Sequence, residues 1–553
     1  MNLPFSGFSW PTPKLPKNYF QIKVIEMKST EHKSLSIANP NPPIDSIQKI
    51  ALALGFLGLF ILLLSLFNVD LPNKPIFLAL SILSVFIGIF LYARQMYLNQ
   101  PEGIKNNGVW LKGFTNRGSW AWVLGVVLTA FYVVLYWYPE YLGLGKGKPN
   151  TGVIVLFDPL SYFLKNQAAS EWFVYGVLYT LAIVGFGFKF IFKYRHNKYQ
   201  IVRTISVMFF QLGFAFLLPE MLLRFNQPFN DFKNMWPLNY YFFDEWHLKE
   251  LLNHGSFGLF MLIFGLAMIF IISPILTYFY GKRWYCSWVC GCGGLAETAG
   301  DSFRHLSNKK VSAWKFERWM IHGVLVFSMI MTIAVIFTFL SKNPKLSIIT
   351  RDQFVWGISI FLSVVIALLV FYKKSQFDKD TRYTIFSLGV IIVGAILINH
   401  FSGSKNILFF QSYKLREWYA FFIGAAFSGV VGVGFYPLLG NRVWCRFGCP
   451  MAAILGLQQR LFSRFRITTN GGQCISCGNC STYCEMGIDV RSYAQKGENI
   501  VRASCVGCGV CSAVCPRGVL KLENKSTIGR INSDAVLLGN DVDLLTLIKA
   551  QKQ

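Results

Sequence analysis

Cys474-Ile-Ser-Cys477-Gly-Asn-Cys480-Ser-Thr-Tyr-Cys484 and Cys505-Val-Gly-Cys508-Gly-Val-Cys511-Ser-Ala-Val-Cys515-Pro516 decide how this chain is read. Each stretch runs C-x2-C-x2-C-x3-C, and a proline closes the second. Three thiolates two residues apart on a tight loop reach three corners of a cubic cluster, and the more distant fourth reaches across to its neighbour. The spacing therefore predicts Cys474, Cys477, Cys480 and Cys515 on one [4Fe–4S] cluster. Cys505, Cys508, Cys511 and Cys484 fall on the second. Zinc also binds C-x2-C pairs, but two consecutive four-cysteine runs with a closing Cys-Pro favour clusters, which pass single electrons. Glu485 follows Cys484 where the second run has Pro516. That departure removes no ligand, though it can alter a loop or a potential.

Working outward, the 553 residues are 53% hydrophobic and only 14% charged, a balance that fits a membrane protein rather than a large soluble enzyme. The formal net charge is +26. Its lysines and arginines lie mostly between apolar runs and in the tails. The anionic inner leaflet accounts for them there, and nucleic acid is not required. Clustered cysteines after position 285 indicate metal ligation in a reducing compartment, not a disulfide framework. The first 48 residues lack the apolar core of a signal peptide.

Runs of about 18–23 apolar residues can cross a hydrocarbon layer of roughly 30 Å. Ten begin near Ile50, Ile76, Trp120, Trp172, Thr204, Gly258, Trp319, Phe354, Thr384 and Trp418. With both tails inside, loops 93–119, 193–203, 281–318 and 373–382 are inner and hold 19 Lys/Arg, against 13 in the longer outer set. This favours cytoplasmic termini and a cytoplasmic cluster domain in a bacterial inner membrane. Trp120, Trp172, Trp319 and Trp418 read as interfacial anchors. The aromatic outer loop 224–256 reads as an amphipathic element along the membrane surface, a packing lid in preference to a binding site.

A second cysteine set follows two spans. Gly281-Lys-Arg-Trp-Tyr-Cys286-Ser-Trp-Val-Cys290 and Gly440-Asn-Arg-Val-Trp-Cys445-Arg-Phe-Gly-Cys449-Pro450 keep Gly, Arg and both Cys at the same offsets. Such self-similarity suggests two related halves. Cysteines four apart share a helix face. Brought together at the inner interface, Cys286, Cys290, Cys445 and Cys449 would supply four thiolates. They would hold a further iron–sulfur cluster, or form a redox dithiol or another metal site, or pack helices. Cys292 is an alternative ligand or a spectator. Lys282, Arg283, Arg442 and Arg446 favour thiolates, and also fit simple positive-inside anchoring.

On these motifs, the stretch from about 281 to 520 resembles the NosR/NapH-type membrane polyferredoxins. In those proteins two C-x3-C-P motifs at span ends precede a cytoplasmic ferredoxin domain. The resemblance implies electron transfer connected with the quinone pool, serving a respiratory or maturation system. Gly291 replaces the first motif's proline, and Cys292 is additional. The extracytoplasmic flavin-binding domain of NosR itself is not expected here, and the spans outnumber those of short NapH-type proteins. The related FixG/CcoG-type proteins are linked to copper handling in oxidase assembly. Their C-terminal β-domain is not expected after Leu522.

Other chemistry is sparse. His254, His322 and His400 lie near span ends and suit hydrogen bonding better than haem b ligation. Glu220 follows Pro219 near the outer end of the fifth span. It reads as a partner of Arg224 four residues on, or as a proton acceptor in quinol oxidation. The expected fold is an all-α polytopic membrane protein of about ten spans with a small α+β two-[4Fe–4S] ferredoxin domain. Its parts are a tail (1–48), an N-terminal membrane region (49–256), a C-terminal membrane region (257–466), the ferredoxin domain (467–523) and a tail (524–553) that could end in a docking helix. The expected function is an electron relay between cytoplasmic clusters and the quinone pool or a respiratory partner. A copper-handling maturation factor and a supercomplex accessory subunit are the alternatives. Expected partners are lipid, quinone and a redox protein.

Overall fold

The computed structural model describes residues 44–99, 115–343, 349–372, 379–403, 406–408 and 410–524. The expected tails, including the C-terminal docking helix, fall outside them. Among the described residues nine helices are long and apolar enough to cross a membrane: Ser46–Leu66, Lys74–Leu98, Ser119–Trp137, Glu171–Lys193, Lys198–Arg224, Gly255–Tyr280, Val311–Lys342, Arg351–Tyr372 and Lys379–Phe401. The tenth expected span is helical over Ser412–Tyr419 and Ala420–Val431. It carries Lys414, Arg416 and Glu417 in its first two turns, and Arg416 pairs with Asp244 at 2.8 Å. Apolar side chains such as Phe56, Phe60, Ile76, Trp122 and Val126 are exposed on the helix faces. A soluble surface would not present such a belt; lipid covers it. Trp120, Trp172, Trp319 and Trp418 are also exposed, as anchors require.

Small residues let the first two helices approach. A Cβ on Gly58 would stand 2.5 Å from the Ser81 carbonyl oxygen, and one on Gly88 2.6 Å from that of Ala51. In lipid such close packing replaces the hydrophobic drive. The long helices Lys198–Arg224 and Gly255–Tyr280 are irregular for a local reason. Each widens into a π-helical stretch, Phe210–Leu217 and Met268–Ile272, just before Pro219 and Pro274. Proline removes an amide donor and crowds the preceding turn, and a widened turn relieves both.

Loop 224–256 does not lie flat. Its Met235 belongs to the same core as Cys286, Cys290 and Tyr419. Trp236 Nε1 donates to Thr332 Oγ1 at 2.8 Å, and Tyr285 Oη donates to Asn234 Oδ1 at 3.4 Å. A turn closed by Asp231, which accepts from the backbone of Lys233 and Asn234, supplies the bend that carries the chain inward. The expected surface element is therefore a plug in its first half. Only Glu245–Asn253 forms the short helix.

The cluster segment is bracketed by two strands, β1 (Arg466–Thr469) and β2 (Leu520–Glu523). They pair antiparallel with Arg466 opposite Glu523. Between them lie the short helices Asn479–Thr482, Val490–Lys496 and Val510–Ala513. Gly507 and Gly509, at φ 65° and 74°, flank Cys508. Left-handed bends of this kind, open to glycine, turn successive thiols to one side.

Candidate metal centre

Cys474, Cys477, Cys480 and Cys515 line one cavity, the set expected from spacing. Cys511 lies within electrostatic reach of Cys505, Cys508 and Cys484, and also of Cys480 from the first set. Both groups of four are thus assembled and adjoin each other. Burial pushes the Cys480 thiol up to about 12 and the Cys505 thiol up to about 11. Iron must therefore displace protons on binding. The residues fit [4Fe–4S] clusters: four convergent thiols around a cavity in one case, four mutually interacting thiols in the other.

The two groups face different ways. Cys477 and Ile475 are exposed, beside Arg491 and Arg517. The Cys505–Cys511 loop instead sits on the membrane bundle. Gln200 Nε2 donates to Cys508 O at 2.9 Å, Tyr199 Oη to Gly507 O at 3.1 Å, and Ser287 Oγ to Val506 O at 2.9 Å. Gln459 Nε2 donates to Cys505 O at 2.9 Å and Arg502 O at 2.8 Å. Every loop carbonyl so bonded is a docking point that a tethered, freely moving domain would lack.

Cys286, Cys290, Cys445 and Cys449 also converge: Cys449 lies within electrostatic reach of the other three. They lie level with the middle of the helix Lys198–Arg224 and not at its end. Gly291, next to Cys290, packs against Gln211 at the midpoint of Lys198–Arg224, and Gly294 packs against Val207 and Ile183. The two motifs are built alike. Gly281 and Gly440 turn the chain at φ 64° and 99°. Cys290 then caps helix Gly291–Glu297, and Cys449 caps Pro450–Phe462. Ala452 N donates to Cys449 Sγ at 3.4 Å, and Arg442 Nη1 to Cys445 Sγ at 3.5 Å. Helix N-termini and a guanidinium favour thiolates, so this set too fits a cluster. Lys282 is buried in the dock, its backbone N–H bonded to Gln459 Oε1 at 2.8 Å. Arg283 stacks on Phe465 at 4.7 Å. Arg446 pairs with Glu317 at 2.6 Å. Three of the four cations suggested by the motif thus hold the architecture, and Arg442 alone among them bonds a motif thiol.

Sequence reading did not foresee the charge network between the cysteine sets. Glu485 is fully buried. It forms ion pairs with Arg304 Nη1 at 2.9 Å and Arg442 Nε at 3.0 Å, and accepts a hydrogen bond from Asn441 Nδ2 at 3.2 Å. Arg442 also pairs with Glu297, which pairs with Arg203. Arg304 pairs with Asp301 at 3.0 Å. Burial alone would raise the Glu485 carboxyl, but Arg304, Arg442 and Arg203 hold it below the usual range. A proline after Cys484 could not supply this carboxylate. Glu297, Glu485 and the Cys508 thiol lie close together, but guanidiniums already answer both carboxylates. The available signal was the single departure at 485.

His305 adjoins this dock. Burial, with Lys309, Lys193 and Arg117 nearby, brings its imidazole down to about 4. A folded value below the unfolded one of about 6.5 means that neutral His305 is required. Its contribution is complete above about pH 6.5 and is lost as pH falls toward 4. Thermal unfolding midpoints are expected to drop over that window, and to drop less in His305→Gln.

The other candidates resolve simply. His254 and His322 bond the carbonyls of Glu250 and Arg318 through Nδ1, at 2.7 and 2.6 Å. His400 lies 3.9 Å from Asp352. Glu220 pairs with Lys165 at 3.2 Å, not with Arg224, whose guanidinium donates to the Phe163 carbonyl. Helix Gly152–Lys165, between two spans, brings Lys165 there.

These features define a helical membrane protein with iron–sulfur binding segments at three places in its chain. Residues 473–520 match the family described as 4Fe-4S dicluster domain. Residues 260–312 and 420–468, which contain both membrane cysteine pairs, match the 4Fe-4S binding domain. The chain is similar to an Escherichia coli (strain K12) protein named "Putative electron transport protein YccM", at 22% identity over 233 residues, 41% of this chain and 48% of that protein. The chain thus spans about half the length of the curated relative it matches. No solved structure matches.

Proposed function

We propose that this protein relays electrons between a redox partner at its exposed cluster edge and an acceptor or donor within the membrane, the quinone pool or a respiratory protein. One observation carries the reading. The Cys505/Cys508/Cys511/Cys484 group is docked on the membrane bundle, and Arg442 touches both Cys445 and Glu485, next to Cys484. The cysteine groups are thus arranged in a row: the exposed group of Cys474, Cys477, Cys480 and Cys515, then the docked group, then Cys286, Cys290, Cys445 and Cys449. In this reading the first two groups hold one [4Fe–4S] cluster each and the third holds a further cluster. Clusters supply one-electron chemistry. The chain's own part is spacing and environment. Gln200, Tyr199, Ser287 and Gln459 hold the docked loop in register. Arg442 offsets thiolate charge, and buried aliphatic residues keep water away. Arg491 and Arg517 at the outer edge suit a partner with an acidic surface.

The lysine and arginine bias supports placing the cluster domain and both termini on the cytoplasmic side of a bacterial inner membrane. The name of the E. coli relative, an electron transport protein, supports the relay itself. The test is EPR on anaerobically purified protein, reduced stepwise. Cluster signals that split through mutual magnetic coupling support a contiguous relay. Protein without a reducible cluster signal defeats it.

A further inference from the structure

We propose that the cavity between helices Lys198–Arg224 and Gly255–Tyr280 binds the headgroup of an isoprenoid quinone, with Lys233 as its polar anchor. The inference rests on the electron-relay reading and names the membrane-side ligand.

The cavity is about 280 Å³, near the lower bound for small-molecule sites. Phe210, Phe214 and Leu218 form one wall, and Phe264 and Met268 the other. Phe210, Phe214 and Met268 belong to the π-helical turns ahead of Pro219 and Pro274, and Leu218 and Phe264 flank them, so the gap adjoins the widened part of both spans. Both walls belong to spans, so an occupant enters from lipid. Aromatic walls suit a flat ring.

The far end is polar. Lys233 and Tyr285 line it beside Val289. Lys233 is only 7% exposed. Its Nζ donates to Gln211 Oε1 at 3.1 Å, and Gln211 Nε2 donates on to Thr180 Oγ1 at 3.1 Å. Among the described residues no carboxylate lies within ion-pair distance of Lys233 Nζ. Its side chain bonds a neutral amide, and the buried Asp231 carboxylate two residues away is near enough to act on it electrostatically; a charge at this depth marks a functional site by default. The ammonium offers its remaining protons to an acceptor oxygen.

Gly291 ties this end to the cysteine site. A Cβ at Gly291 would stand 2.7 Å from Lys233 Nζ and 2.6 Å from Gln211 Oε1. The resembling motif has proline here; its ring would occupy the space that Lys233 and Gln211 use. The departure therefore admits the ammonium to the backbone beside Cys290. The occupant must be lipid-soluble, planar, oxygen-bearing and useful one residue from a cluster ligand. A quinone meets all four demands. A phospholipid headgroup belongs at the surface rather than at mid-span.

The experiment uses full-length, anaerobically purified protein in mild detergent and a decyl-tailed azidobenzoquinone photolabel. Label is expected in the peptides carrying Phe210–Leu218 and Phe264–Met268, with decylubiquinone competing. Lys233→Met and Leu218→Trp are expected to lower retention about tenfold, and Lys233→Arg to retain most of it. Iron and sulfide, measured on the same samples, should stay unchanged. Equal labelling in all variants, or displacement by a simple alkyl lipid as readily as by decylubiquinone, overturns the proposal. Protein with its clusters but no labelling defeats this inference alone. Protein without clusters defeats the relay reading instead.

Discussion

Glu485→Ala is expected to loosen the docked cluster loop from the membrane bundle. The substitution removes the one carboxylate shared by Arg304 and Arg442 and leaves both guanidiniums buried. Breaking a buried ion pair from one side destabilises by about 3–5 kcal/mol, because the remaining charge is uncompensated. Arg304 keeps Asp301, and Arg442 keeps Glu297, so the lower part of that range is expected. Glu485→Gln keeps the shape and an acceptor for Asn441 and should fall in between. The readout is bleaching of cluster absorbance with urea, followed alongside proteolytic release of the segment that begins at β1. The midpoint should fall, and release should precede loss of the transmembrane core. An unchanged midpoint would show that the backbone contacts of Gln200, Tyr199, Ser287 and Gln459 hold the dock unaided.

The second large effect concerns the metal content of the membrane site. Three [4Fe–4S] clusters correspond to about twelve iron and twelve sulfide per chain, and two to about eight of each. Cys445→Ser is expected to move the protein from the first figure to the second. It removes a thiol of the membrane set and one of the two acceptors of Arg442 Nη1, while the cysteines between β1 and β2 are untouched. Cys508→Ser should instead lose cluster signal from the docked group and leave the membrane site loaded. Eight iron in the unaltered protein, with one copper bound and lost in Cys445→Ser, would move the assignment to metal handling by the membrane thiols.

Much of this was legible in the chain. Ligand spacing is local, so two cluster loops and a repeated Gly-x-Arg-x2-Cys-x3-Cys motif could be read from neighbours alone, though not the helix caps that Cys290 and Cys449 form. Hydrophobic runs long enough to span lipid could be counted. The run at Trp418 shows where counting weakens, since Arg416 there pairs with Asp244 from a distant loop. Glu220 shows the same limit: its i+4 neighbour Arg224 was the local expectation, and Lys165 from a separate helix took its place. Loop 224–256 was read as a surface lid because its aromatics are amphipathic. Its inward turn depends on contacts with Thr332 and Tyr285, far away in sequence.

Two single-residue departures from motif, Glu485 and Gly291, were visible from the start but had no local explanation. Each makes room for, or supplies, a charge whose partners lie between 20 and 200 positions away. Which cysteines can share a cluster, and which runs can cross lipid, followed from the chain itself, because covalent spacing and side-chain solubility set both. The tertiary structure alone decided where the cluster loop docks, how deep the membrane thiols lie and which buried charges meet. Those depend on burial, and the energy of a buried charge is set by whatever distant group shares its pocket.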